Sequence, residues 1–114
     1  MVAPEQALRD MLTFMGDLER YAPTDPDLLR EDIVRGRFVL YTFVLIGEAA
    51  RRLDPEFRAR HADVPWSKIL GMRNAVVHEY ERVSYVQVAE ALTVSLPALR
   101  PRIEALYASA AADG

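Results

Sequence analysis

Residues 38–46 read Phe38-Val39-Leu40-Tyr41-Thr42-Phe43-Val44-Leu45-Ile46. Wound into a helix, such a run is apolar nearly all round, and a helix of that kind is buried on several sides. In a chain this small, several buried sides mean a core on one side and a partner subunit on another. The spacing predicts a long helix, reaching Leu53, that serves both a helical bundle and a dimer interface. β-branched alternation at period two is absent from the rest of the chain, so the reading is all-α.

Outward from that helix, the punctuation is consistent. Asp25-Pro26 pairs a capping residue with proline at the first helical position. A short turn over Asp27 to Arg30 is expected to lead into the long helix. Leu8, Met11, Leu12, Met15 and Leu18 recur at i, i+3, i+4 and i+7, which predicts a first helix from Pro4 to about Arg20, broken by Pro23. Asp54-Pro55 repeats the cap-then-proline signal for a short helix to about Arg60. Pro65-Trp66-Ser67 opens another helix, through Ile69, Leu70, Met72, Val76 and Val77. Ser84 caps the last helix, whose apolar side carries Val86, Val88, Ala89, Leu92, Leu96 and Leu99. Pro97 and Pro101 fall inside that pattern, so a kink or an early end is expected there. The tail from Ala108 to Gly114 is rich in small residues and is expected to fray.

The 114 residues fit one domain spanning the whole chain. A composition 51% hydrophobic and 27% charged is that of a folded chain. The absence of cysteine rules out a disulfide scaffold, a cysteine zinc site and a thiol nucleophile. With two histidines, a His-rich metal site is not expected either. No secretory signal and no membrane-spanning apolar run is read, so the default expectation is a cytoplasmic protein. A net charge of −3 argues against coating nucleic acid by bulk electrostatics. RNA binding would need a local cationic patch. Arg35, Arg37, Arg51, Arg52, Arg58 and Arg60 cluster mid-chain, and Lys68 is the only lysine.

The segment Arg73-Asn74-Ala75-Val76-Val77-His78-Glu79-Tyr80 is chemically the richest. On a helix, Arg73 and Tyr80 share one face and Asn74 and His78 the neighbouring one. All four reach one cleft if the helix persists that far. Attack of a ribose 2′-hydroxyl on the adjacent phosphate needs a proton acceptor and then a donor, and imidazole serves as either near neutral pH. A fixed guanidinium stabilises the extra negative charge of the phosphorane. No metal is required. One chain supplies one such histidine, so a two-fold dimer would bring the second. The structural alternatives are a capping or surface His78, an Arg73 paired with Glu79 or another carboxylate, and a core Tyr80 with its hydroxyl at the rim.

Arg73, His78 and Tyr80 also match the R-x4-H-x-Y motif of HEPN domains. Ile46-Gly47-Glu48-Ala49-Ala50-Arg51-Arg52-Leu53 and Val64-Pro65-Trp66-Ser67-Lys68-Ile69-Leu70-Gly71-Met72-Arg73-Asn74 resemble two further blocks of the HepT-like family, in the same order and spacing. The resemblance extends from about Leu8 to Leu99. It implies an antiparallel HEPN-type bundle of four to five helices that forms a homodimer. It implies the toxin of a toxin–antitoxin pair, a metal-independent ribonuclease that needs no cofactor. It also implies an antitoxin partner, a minimal nucleotidyltransferase that moves AMP from ATP to the motif tyrosine. Carried over, Arg73 and His78 are catalytic, and Tyr80 is the modified residue at the RNA cleft. Asn74 supports the motif, and Glu48 faces the cleft and holds Arg73. Glu79 stands where the family most often has aspartate, and Glu81-Arg82-Val83-Ser84 lacks the family's glycine turn. Two other readings stay open: a non-catalytic binding module that partners a nucleotidyltransferase, and a purely structural helical dimer.

Overall fold

The computed structural model describes residues 3–113, and the described residues form helices without a strand. Helix α1 spans Pro4–Tyr21, α2 Pro26–Glu31, α3 Ile33–Arg51, α4 Pro55–Arg60, α5 Trp66–Glu79, α6 Tyr85–Glu90 and α7 Leu96–Asp113. A 3₁₀ turn, Tyr80–Arg82, follows α5, and a π-helical stretch, Ala91–Ser95, joins α6 to α7. None of these helices is long and apolar enough to cross a membrane.

The Asp-Pro signals act as read. The Asp25 side chain accepts from the Asp27 amide and the Asp54 side chain from the Glu56 amide, each at 2.9 Å. Each satisfies one of the amides orphaned at a helix start. A third cap divides what the sequence suggested was a turn and one long helix. Asp32, extended at φ −85° and ψ 95°, ends α2, and its carboxylate accepts from the Arg35 amide to start α3. The expected turn over Asp27 to Arg30 is therefore helical, and α3 stops at Arg51 rather than Leu53. With α2 and α4 counted, the bundle has more pieces than the four to five helices expected.

Four long units build the core: α1, α3, α5 and the α6–π–α7 rod. Helix α3 packs against both α1 and α5, and α1 also packs against α7. Leu8, Met11, Met15 and Leu18 of α1 are buried against Val39, Phe43, Ile46 and Ala50 of α3 and Leu99 and Ile103 of α7 in one continuous core. Between α5 and α7 lies a groove of about 690 Å³, floored by Phe43 and Ile46. Arg52, just past the end of α3, donates to Asp10 of α1, and its guanidinium holds the Asp10 carboxyl below the usual carboxylate range.

The prolines near the end do not stop the last helix. Pro97 brings no amide to the ladder, and the stretch just before it widens to π geometry, with the Leu96 amide donating to the Ala91 carbonyl. The Thr93 hydroxyl donates to the Ala89 carbonyl at 2.9 Å. Pro101 sits within α7, exposed, and the helix continues through Ala108 to Asp113. Gly114 of the tail lies outside the described residues.

Candidate active site on the fifth helix

Helix α5 carries the motif, and its start is set by tertiary contacts. Pro65 at the N-cap offers no side-chain hydrogen bond. Instead, Trp66 is buried and its indole Nε1 donates to the His61 carbonyl at 3.0 Å. His61 in turn lies 4.6 Å, centroid to centroid, from the Phe57 ring of α4. The short helix and the loop after it thus anchor the end of α5 from which the motif is measured.

Further along, α5 comes close to α3. Arg73 lies across Gly47, with its side chain 18% exposed. Its Nε donates to Glu48 Oε1 at 2.5 Å, and its Nη1 donates to Asn74 Oδ1 at 2.8 Å. Nη2 takes part in neither bond. Arg51, one turn beyond Glu48 on α3, brings its Nη1 to 3.6 Å from the same Oε1. One carboxylate therefore stands between two guanidiniums, and a net positive charge remains at this spot. A charge-assisted bond on one edge and an amide on another fix the plane of the Arg73 group.

His78, Glu79 and Tyr80 lie on the exposed side of the same segment. Among the described residues, none of the three side chains makes a hydrogen bond or an ion pair. Tyr80, at 57% exposed, is not a core aromatic. Arg73 pairs with Glu48 and not with Glu79, which is the pairing with another carboxylate that the structural alternative allows. His78 makes no capping bond and lies on the surface, as its own structural alternative has it. The helix persists to Glu79, whose backbone leaves the α region at φ −143° and ψ 45°, and Tyr80 opens the 3₁₀ turn. Tyr80 is therefore turned from the strict seven-residue alignment with Arg73 that an unbroken helix imposes. The structure joins Arg73, Asn74 and Glu48 directly, and leaves His78, Glu79 and Tyr80 presented to solvent nearby in the chain. Among the described residues, no group of three metal-ligating side chains forms.

Sequence reasoning passed over two residues of this neighbourhood. Arg51 enters the sequence reading only through a cationic cluster and a motif block, and Gly47 only through that block. The signal for Gly47 was a glycine inside an apolar helix, which costs roughly 1 kcal/mol against alanine and implies a close approach.

Comparison with known proteins bears on what these residues do. Residues 11–106 match the family described as Ribonuclease HepT-like. A protein of Caldanaerobacter subterraneus subsp. tengcongensis named "Putative RNase TTE0752" is 37% identical over 78 residues, covering 65% of this chain and 70% of that protein. One of Methanocaldococcus jannaschii, "Putative RNase MJ1380", is 23% identical over 99 residues, covering 87% of this chain and 85% of the relative. "Probable ribonuclease HepT" of Thermococcus cleftensis is 26% identical over 68 residues, covering 60% of this chain and 62% of its own length. No solved structure matches the chain significantly. The family match spans most of the sequence, including both helices that meet at Arg73, and the chain belongs to the HepT-like ribonuclease family.

Proposed function

We propose that this chain is a single-domain ribonuclease toxin that cleaves RNA without a metal at a cleft shared by two copies. The observation that carries the reading is the clamped Arg73, with His78 unbonded and exposed five residues on. A guanidinium fixed on two edges keeps Nη2 for a phosphate oxygen, and its geometry needs no reorganisation as charge builds. In the step proposed, a ribose 2′-hydroxyl gives its proton to neutral His78 as its oxygen bonds to the adjacent phosphorus. The P–O5′ bond then breaks, and the departing oxygen takes a proton from the partner's His78, charged at the outset. The products are a 2′,3′-cyclic phosphate and a 5′-hydroxyl end, with one histidine acting as base and the other as acid.

The second copy is supported by α3. Val34, Tyr41 and Glu48 recur every seven residues along one exposed face, Val34 at 79% and Tyr41 at 63%. An apolar row that ends at the residue clamping Arg73 suits an interface that abuts the cleft. Tyr80 is the proposed site of control. A nucleotidyltransferase antitoxin transfers AMP from ATP to its phenol oxygen, releasing pyrophosphate as the phenolic proton leaves. The bulky phosphate-bearing adduct then blocks the cleft and pairs with Arg73. Exposure of Tyr80 and its freedom from hydrogen bonds support access by a partner enzyme.

The test is cleavage of total cellular RNA in excess EDTA, with wild type beside His78→Ala, after intact mass has established that neither carries AMP. Cleavage by wild type alone, leaving cyclic phosphate ends, is the expected result. No cleavage by the unmodified dimer transfers the reading to a nucleotide-binding partner of a nucleotidyltransferase. Equal cleavage by both proteins removes His78 from the mechanism.

A further inference from the structure

The residue that fixes Arg73 from below is Gly47. A Cβ built on Gly47 overlaps the Arg73 Cβ, falls 2.8 Å from its Cγ and 3.4 Å from the Ile69 carbonyl oxygen. The arginine stem thus occupies the space that any side chain at position 47 requires. With the stem in that place, its guanidinium reaches Glu48 Oε1 and Asn74 Oδ1 together. Position 47 is also buried, so a side chain there would have to displace the Arg73 stem or the helix that carries it. The backbone of Gly47 is not in a left-handed conformation, so its lack of a side chain, not its flexibility, is what the site uses.

We infer that Gly47 is a positioning residue for Arg73: its bare backbone is the seat on which the guanidinium is aimed. This rests on the ribonuclease reading only for its effect on rate; the seat itself is a matter of geometry. Gly36 offers an internal comparison on the same helix. A Cβ there overlaps the Leu29 carbonyl oxygen of α2, a close approach of the same kind with no functional side chain involved.

The experiment compares Gly47→Ala with Gly36→Ala in the full-length protein. Three readouts are taken: thermal melting, RNA-cleavage kinetics, and the Nε–Hε resonance of Arg73, assigned by its loss in Arg73→Lys. A misplacement near 1 Å costs on the order of 100-fold in rate. Gly47→Ala is expected to lower kcat by about that factor, with KM changed far less, and to move the Arg73 resonance towards that of a free arginine. Gly36→Ala is expected to lower Tm while leaving kcat and the resonance in place. A folded Gly47→Ala with unaltered resonance and rate overturns the inference. If wild type cleaves no RNA, the ribonuclease reading fails, and the resonance still decides whether Gly47 seats Arg73. Should Gly47→Ala fail to fold, the cycle with Arg73→Gly decides. Gly47→Ala costs little stability in the Arg73→Gly background if the arginine stem is the obstacle. An unrelieved loss there overturns the assignment.

Discussion

At the scale of single residues, the site divides into groups that hold and groups that wait. Glu48 belongs to the first kind: one oxygen serves Arg73 and attracts Arg51. Because Glu48 is 44% exposed, its ion pairs add at most about 1 kcal/mol to folding. In the function proposed, they aim Arg73, so the cost of losing them falls on rate. Glu48→Ala is expected to reduce kcat by roughly 10- to 100-fold with a near-native Tm. Glu48→Gln, which keeps an acceptor oxygen, should be milder. Steady-state cleavage kinetics and melting curves on the same preparations check both, and a large fall in Tm with intact kcat would falsify the aiming role. Tyr80 belongs to the second kind. Tyr80→Phe removes an exposed hydroxyl with no partner and should change stability by less than about 0.5 kcal/mol. The variant is expected to cleave RNA within a few-fold of wild type and to take up no AMP from ATP and the cognate nucleotidyltransferase. An adduct of the same mass on Tyr80→Phe places the modification elsewhere.

At the scale of elements, α5 is held by its ends and not by its own capping. Trp66 replaces the missing N-cap with a buried indole bonded to His61. Trp66→Ala leaves a large cavity and loses the indole bond to the His61 carbonyl, which keeps the Val64 amide as its donor, so a loss of about 3–5 kcal/mol is expected, read as a Tm drop of more than roughly 10 °C. The joint between α1 and the end of α3 makes a prediction about pH. Arg52 lowers the Asp10 pKa in the folded state, so the stabilisation is present above the ordinary aspartate pKa. It is lost as pH falls through the lowered folded value, below about pH 4. Urea melts of wild type and Asp10→Asn should therefore differ near pH 6 and converge in acid; a constant gap removes this pair from the acid response. Elements also mark what sequence could show. Asp25, Asp54 and Ser84 were legible as helix starts because a cap acts within three residues of itself. Asp32 was not, since the helical periodicity on both of its sides conceals a break that one carboxylate makes. The π stretch before Pro97 is an accommodation between a missing amide and the packing of α7, and residue spacing carries no trace of it. Arg73, His78 and Tyr80 stood out in the sequence as one cluster, through their residue types and the motif they resemble, and their roles belong to the function proposed. The seat at Gly47 was not, because two helices distant in sequence create it.

At the scale of the whole molecule, α5, α1 and the short α2 pack against α3 and leave one side of it uncovered. Val34 and Tyr41 are exposed on that side, with Phe38, Val44 and Leu45 half-buried beside them. In the dimer proposed, a two-fold partner would cover this row with the same row from a second copy. Because the row runs to Glu48, such pairing would also carry a second Arg73 and a second His78 towards the first, and would make chemistry depend on assembly. Tyr41→Glu puts a charge in the middle of the row without touching the clamp around Arg73. Its exposure in the single chain means that the fold itself should lose less than about 1 kcal/mol. The variant is expected to sediment as a helical monomer at concentrations where wild type is a dimer, and to lose RNA cleavage although Arg73 and His78 are intact. Adding the variant to wild type should not restore its activity, since each variant copy also lacks the row that recruits a partner. A monomeric Tyr41→Glu that cleaves RNA at the wild-type rate shows that one chain holds both the acid and the base. In that case the second proton-transfer group must be sought in the same chain, where Glu79 is the carboxyl next to His78 in sequence.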